Sequence, residues 1–581
     1  MPVVLFFLVG CSGGDEPDPL APSPDTAPPD TASPDTSPPG DSGEPVDSGE
    51  PGDTGDTGEE VESEPLEVAH FSEIGQEIIG ALDYFGGAFQ STWGYGSDAT
   101  FSTGWLLQTP ADHWGASGTE IEAELTCTDS DCDPDFQLRY CTEDADCIDG
   151  GRCQEVLATV TVPGEQPAMM CVGHADFLYD EMYLALTEAE SFADVSSLSE
   201  PDGRFLAAFR NAVSYLDAAG SEARIRVLFG HIPGLPLDTD TVLSRLTRDI
   251  ASDAGLTVHV GAYRIGYTSW NHSKIVAADG RVLLQGGHNL WTVDYLNAAP
   301  VHDLSMRLDG SAALDAHRFL DRLWEYTCDD VWLSGLTERS VYPSSVDDCP
   351  TPYAASYPPQ LTDDGVRTIS AGRLGDIGEN AADEAILAAI GSAKSSVKLS
   401  LQDIGPIRVA GDVSLSDWPE DVMRELAYVM SNDVDVFMVL STPSSTPGGG
   451  SNSYGNGWTA TEVVQQLEWW LEQNPWILPE GETAYDLLCE HFHVAPLRYF
   501  ADEAAWPSGA GIGNHSKFFI VDDGLFYVGS QNLYIANLAE FGLFVDDVTM
   551  TDEVLGAFWN PLWDASSVGA VSGWQAASCT F

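Results

Sequence analysis

His272–Asn289 reads HSKIVAADGRVLLQGGHN, and His515–Asn532 reads HSKFFIVDDGLFYVGSQN. The two stretches carry the same residues at identical offsets. The first has His272, Lys274, Asp279, Gly286 and Asn289; the second has His515, Lys517, Asp522, Gly529 and Asn532. Gly287 of the first copy is Ser530 in the second, and both copies are entered through Asn, giving NHSK twice. The chain contains only four lysines, Lys274, Lys394, Lys398 and Lys517, so half of them lie in this repeated tetrapeptide. In each copy an Asp-Gly step (Asp279-Gly280, Asp523-Gly524) separates two apolar runs, which predicts a tight β-hairpin.

Residues i and i+2 of a strand share a face, so His272 is expected to project with Lys274 and His515 with Lys517. An imidazole can attack phosphorus or move protons near neutral pH, and a neighbouring lysine neutralises a phosphoryl oxygen. Gly286, Gly287 and Gly529 are expected to let the backbone approach the same oxyanion, with Asn289 and Asn532 donating to it. One copy makes half a site. Two copies facing each other make a nucleophile, an opposing acid and a ring of donors. A single His-x-Lys is more simply an exposed strand pair, but two copies with matching Asp, Gly and Asn in so lysine-poor a chain favour the catalytic reading.

The flanks repeat as well. FLAAFRNAVSYLDAAG reads as an amphipathic helix followed by the strand ARIRVLFG; DEAILAAIGSAKSS is helical and precedes the strands VKLSLQDI and DVDVFMVLS. The predicted fold is α/β, two duplicated α/β sandwich domains related by a pseudo-twofold axis, with the site at their interface. The halves are expected at residues 68–350 and 367–581, joined by a Pro/Ser/Asp-rich link, with a Cys-rich insertion at about 112–175.

The chain has 581 residues, with 92 Asp and Glu against 23 Lys and Arg, a formal charge of −69. Residues 1–67 hold 17 of the acids and no base, which leaves 75 acids on the remainder. Such a field repels phosphate backbones, so nucleic acid is excluded as a partner. The N-terminal MPVVLFFLVGC is too short to span a bilayer and fits a signal peptide ending in a lipobox at Cys11. Residues 12–67, rich in Pro, Gly, Asp and Thr, read as a disordered tether. The expected location is extracytoplasmic, either anchored at Cys11 or secreted. Six of the remaining cysteines crowd between Cys127 and Cys171 without a C-x-x-C pair, which points to disulfides in an oxidising compartment, with connectivity left open. In CEHFH (Cys489–His493) the spacing fits no standard metal set, so no metal is expected there.

The paired HxKxxxxD segments, each followed by a Gly-rich turn and Asn, resemble the HKD motifs of the phospholipase D superfamily. The likeness is closest to the small secreted bacterial phospholipases D. It extends to SWNHSK, to WTVDYLNAAPVHDLSMRL after the first motif, to VDDGLFYVGSQNLYIANLAEFG around the second, and to GWLLQTP at Gly104–Pro110. It covers roughly residues 68–581 outside the Cys-rich insertion. The resemblance implies that His272 is the nucleophile and His515 the acid and base. Lys274, Lys517, Asn289 and Asn532 would hold the phosphoryl oxygens, with Ser530 and Trp270 completing the substrate pocket. Asp303 would orient His272, and Glu540 would orient His515. Asp279 and Asp522 would be structural. It also implies the bridges Cys328–Cys349 and Cys489–Cys579. No cofactor is implied. The expected partner is a phospholipid surface, and the expected state a monomer. Glu540 departs from the Asp of close relatives, His288 is unusual inside GGHN, and the tether and Cys-rich insertion are foreign to the family. Two readings compete: head-group transfer by a synthase of the same superfamily, and a non-catalytic lipid-binding lipoprotein. The intact pair of motifs argues against the second.

Overall fold

Two eight-membered runs of strands share seven in one order and one sense, Thr257–Ile265 through Leu106–Thr109 and Phe492–Pro496 through Val366–Arg373, with the eighth on opposite edges. In the first, the sequence across the sheet is Gly335–Tyr342, Thr257–Ile265, Arg224–Gly230, Phe192–Ser197, Ile275–Ala278, Val282–Gly286, Asp303–Asp309 and Leu106–Thr109. In the second it is Phe492–Pro496, Asp435–Leu440, Ser396–Leu401, Lys517–Val521, Leu525–Gly529, Glu540–Val545, Val366–Arg373 and Trp93–Ala99. In each sheet three neighbouring strands are parallel (Phe192–Ser197, Arg224–Gly230 and Thr257–Ile265; Ser396–Leu401, Asp435–Leu440 and Phe492–Pro496). An antiparallel hairpin carrying the repeated motif follows in both. The fold is α/β. These relations come from a computed structural model that describes residues 68–581. Excepted are 86–91, 112, 122–124, 148–150, 234–236, 330–334, 354–361, 363–364, 409–415, 443–453, 501–502, 575, 577–578 and 580. The expected signal peptide, lipobox, tether and most of the interdomain link lie outside the described residues.

The predicted helices form at Gly203–Ala218 and Ala381–Gly391, and each covers the outer face of its own sheet. The inner faces pack on each other: Ile275, Leu283 and Met306 from one sheet share a buried cluster with Phe518, Phe526 and Leu543 from the other. Strands buried on both faces explain the near-continuous apolar runs IVAA and KFFIV. Both hairpins turn through three residues, with Asp279 and Gly280, then Asp522 and Asp523, in the left-handed region.

The expected boundary at 68–350 needs correction. The helix Glu73–Leu82 buries Ile78, Ile79 and Leu82 in the core of the second sheet, and Trp93–Ala99 pairs antiparallel with Val366–Arg373. The first strand of the N-terminal half therefore closes the edge of the other half's sheet, where an open edge would template unwanted pairing.

Three disulfides staple the Cys-rich insertion: Cys127–Cys132, Cys141–Cys153 and Cys147–Cys171. Its hairpin of Arg152–Val156 with Ala168–Val172 does not stand apart. Phe136, Leu138, Val156 and Met170 are buried in the same core as the helices Phe177–Thr187 and Gly203–Ala218.

Candidate active site

Each motif begins where its hairpin crosses to the other half. The His272 amide donates to the carbonyl of Ala539 at 2.8 Å, and the His515 amide to that of His302 at 2.7 Å. Asn271 and Asn514, the first letters of NHSK, lie buried beneath. Asn271 Nδ2 donates to Ser196 Oγ and to the Ser197 and Leu228 carbonyls; Asn514 Nδ2 donates to Ser400 Oγ and the Val439 carbonyl. Ser273 and Ser516 return their hydroxyls to these asparagine oxygens at 2.8 and 2.6 Å. The N and S of the repeat are thus a rigid base, and H and K stand on it.

The imidazoles of His272 and His515 face each other with ring centroids 6.4 Å apart. Their carboxylate partners are crossed. His272 Nδ1 lies 2.9 Å from Glu540 Oε2, and His515 Nδ1 lies 2.7 Å from Asp303 Oδ2. The expectation that Asp303 serves His272 and Glu540 serves His515 is corrected. Each carboxylate opens the strand that follows the residue bonded to the opposite histidine, so the docking of the halves dictates the exchange. With Nδ1 occupied, Nε2 is the reactive nitrogen of both rings. Glu540 reaches its ring with both oxygens, at 3.0 and 2.9 Å, so the extra methylene is accommodated.

Supporting donors differ between the copies. Ser530 Oγ donates to Glu540 Oε2 at 2.6 Å, so this hydroxyl braces a carboxylate and is not a free donor to substrate. At the matching Gly287 a Cβ would come within 2.0 Å of Asp303 Oδ1. Asp303 is braced instead by Tyr295, whose OH donates to Oδ2 at 2.8 Å and lies 3.3 Å from His515 Nδ1. The glycines serve packing as well: a Cβ on Gly286 would meet Ser305 Cα at 2.4 Å, and one on Gly529 would meet Gly542 Cα at 2.8 Å. They permit neighbouring strands and a carboxylate to close in, which corrects the expectation that they face a ligand.

Lys274 and Lys517 are buried, each donating from Nζ to the carbonyl of its own motif histidine. Burial lowers Lys274 to about 8 while Glu540 and Asp303 pull it upward; Lys517 is held well below its usual range, by burial first. Burial also lowers His272 to about 4, opposed by Glu540 and reinforced by Lys274 and Lys517. His515 is pushed well down by burial and then by Lys517 and Lys274. The imidazoles are thus neutral, and the two buried lysines stand against the two buried carboxylates; a phosphodiester anion beside the lysines would favour their charged form. Asn289 is fully buried, and neither atom of its amide meets a partner among the described residues. Asn532 Nδ2 donates to Tyr534 OH at 2.9 Å.

The remaining expected residues fall as follows. Asp279 accepts from the amides of Ser191 and Phe192, and Asp522 from those of Lys394, Ser395 and Ser396; each ties its hairpin to the start of the neighbouring parallel strand. Trp270 is half-buried beside the crossing, its carbonyl accepting from the Ala539 amide. His288 is clamped between Thr109 Oγ1 at 2.5 Å and Ser305 Oγ at 2.8 Å, a packed neighbour. His491 pairs with Asp435 at 3.0 Å at the sheet edge, away from the motif histidines.

A phospholipase D from Streptomyces antibioticus is 30% identical over 447 residues, covering 68% of this chain and 78% of the relative. The chain belongs to the phospholipase D family. As a member of the phospholipase D family it is an enzyme of phosphodiester and phospholipid chemistry. No family model matches the chain. Among solved structures, phosphatidylserine synthase of Haemophilus influenzae Rd KW20 aligns with a TM-score of 0.40 at 13% identity, covering 66% of this chain and 83% of that one. Polyphosphate kinase of Porphyromonas gingivalis aligns with a TM-score of 0.36 at 12% identity, covering 66% and 44%. The bridges Cys328–Cys349 and Cys489–Cys579 form, and with the insertion's three they place this phospholipase D relative in an oxidising, extracytoplasmic setting. Among the described residues no helix is long and apolar enough to cross a membrane.

Sequence reasoning missed two residues. Tyr295 lies inside the quoted WTVDYL stretch but has no counterpart in the second copy, so the repeat gave no cue. Tyr454 sets its ring 4.4 Å from that of His515 and donates its OH to Asp294 at 2.6 Å; it follows a Gly/Ser-rich run without periodicity.

Proposed function

We propose that the chain is a phospholipase D that hydrolyses the distal phosphodiester bond of glycerophospholipids, releasing phosphatidic acid and the free head group. The observation that carries this is the pair of facing histidines, each with Nδ1 held by a buried carboxylate from across the site. His272, its Nδ1 proton donated to Glu540, attacks phosphorus through Nε2. The bond to the head-group oxygen breaks, and His515, made an imidazolium by a proton taken up with the anionic substrate, gives that oxygen the proton of Nε2 while Nδ1–H stays on Asp303. Water then loses a proton to His515 and attacks the phosphohistidine; the P–N bond breaks and His272 is restored. An alcohol in place of water gives transphosphatidylation. Lys274, Lys517 and the unpaired amide of Asn289 hold the phosphoryl oxygens. The order of roles follows the order of motifs in the family.

The substrate is a phospholipid at a membrane or vesicle surface, zwitterionic in preference to strongly anionic, taken by a monomeric enzyme. A net charge of −69 repels polyanions at range, whereas the site compensates a single phosphodiester. Trp270 offers an aromatic face to a cationic head group. The test compares initial rates on phosphatidylcholine vesicles, phosphatidylglycerol vesicles and single-stranded DNA at moderate salt, scoring released head group and, with added alcohol, the transfer product. Faster cleavage of DNA than of any lipid contradicts the reading. Preference for phosphatidylglycerol overturns the electrostatic part alone. Transfer without measurable hydrolysis identifies a synthase.

A further inference from the structure

We infer that Arg204 is a positioning residue through which the disulfide-stapled insertion fixes Tyr295, and with it the Asp303–His515 pair; the inference rests on the proposed role of His515. Arg204 is buried, in the first turn of the helix Gly203–Ala218. Its guanidinium joins two segments distant in sequence. Nε donates to the Phe136 carbonyl inside the insertion at 2.9 Å, and Nη1 donates to Asp176 Oδ1, just after the insertion, at 2.8 Å. Asp176 is also buried, and its other oxygen accepts from the Gly173 amide at 2.6 Å. The planar fork of arginine suits two acceptors set at an angle, which the single point of a lysine serves less well.

The backbone of the same residue reaches the catalytic loop. The Arg204 amide donates to Thr292 Oγ1 at 3.1 Å, and the preceding Asp202 accepts from the Thr292 amide at 2.6 Å. Gly203, at φ +45, leaves no space for a Cβ against Thr292 Oγ1, which would lie 2.4 Å away. Thr292 opens the short helix Thr292–Tyr295. Tyr295 closes it and carries the hydroxyl that bonds Asp303.

A second observation joins the same parts. A cavity of about 20 Å³ is lined by Tyr295 and Leu296 together with Ile121 and Leu125 of the insertion, Arg204 and Asp176. The insertion therefore lines the same cavity as Tyr295. The phenol at the far end of this chain touches both members of the His515 pair, so a small displacement of the loop changes the imidazole's tautomer control and aim.

The test is a double-mutant cycle of Arg204→Met with Tyr295→Phe, with Arg204→Lys as the conservative variant. Thr292→Ala cuts the link at its half-buried end and leaves the ion pair intact. The substrate is short-chain monomeric phosphatidylcholine, and melting curves confirm folding of each protein. Arg204→Met is expected to lower kcat about tenfold with KM within about twofold, and Arg204→Lys to recover part of the loss. In the Tyr295→Phe background neither Arg204→Met nor Thr292→Ala should lower kcat much further, because both act through the phenol. Full additivity overturns the inference, as does a fall in melting temperature with kcat unchanged. An activity-free reading separates this from failure of the functional proposal. The hydrogen-bonded Nδ1 proton of His515 should give a far-downfield proton resonance that shifts or broadens in Arg204→Met and Thr292→Ala. A resonance identical to wild type in both variants overturns the inference even if the protein turns over no phospholipid.

Discussion

Glu540, from the C-terminal half, holds His272 of the N-terminal half, with Oε2 2.9 Å from Nδ1 across 268 residues of sequence. Asp303 returns the exchange to His515. Neither half owns a complete histidine–carboxylate pair, so correct docking of the halves is a condition of chemistry as well as of stability.

The crossing separates the effects of the two carboxylates. Glu540→Gln should slow attack by His272 on every substrate. Asp303→Asn should slow proton donation by His515, and so matter little for the first-turnover burst of p-nitrophenol from a p-nitrophenyl phosphodiester, whose leaving group needs no proton; the later attack of water still uses His515 as base. Losses of about 10² to 10⁴ are expected on phosphatidylcholine for both variants, with recovery of the p-nitrophenol burst rate on the activated ester for Asp303→Asn alone. Recovery by Glu540→Gln instead would reverse the pairing.

Gly287 is held small by Asp303. Gly287→Ala should lower kcat by about 10²-fold, since its Cβ would displace the carboxylate that aims His515. Steady-state kinetics with a melting curve checks this; near-normal kcat would show that Asp303 moves aside without consequence.

With the activated ester, kcat/KM requires neutral His272 and charged Lys274. His272, lowered to about 4, is neutral above that pH; Lys274, lowered to about 8, is charged below that pH. The profile should fall below about 4 and above about 8, and Lys517, also held well below its usual range by burial, adds to the alkaline fall. In Lys274→Arg, which stays charged to higher pH, the alkaline limb should move upward even if the plateau drops. An unmoved limb would assign it to another group.

Low ionic strength should destabilise the protein. With 92 acids against 23 bases, self-repulsion is screened by salt, and the melting temperature should rise from dilute buffer to molar salt. A flat series would show that the acidic surface is already compensated locally.

The repeated offsets made the two hairpins, the α/β layering and both motif histidines legible, because each depends on local periodicity and short turns. What joins the halves was not legible. The carboxylate crossing and the strand Trp93–Ala99 closing the far sheet are long-range pairings that no local pattern encodes. The resemblance paired Asp303 with His272 and Glu540 with His515, and only the docking of the halves shows the exchange. Ser530 was expected at the substrate pocket, but its hydroxyl turns to Glu540, a contact set by the folded turn. The insertion's bridges could not be ordered from spacing, and Tyr295 stands outside the repeat that guided the reading.

The central claim is tested most directly by trapping the covalent intermediate. Enzyme quenched in acid during a brief turnover of phosphatidyl-labelled phosphatidylcholine should carry the label on the peptide containing His272, and His272→Ala should abolish it. Label on the His515 peptide would reverse the two roles, and turnover with no label on either histidine would contradict the phosphohistidine mechanism.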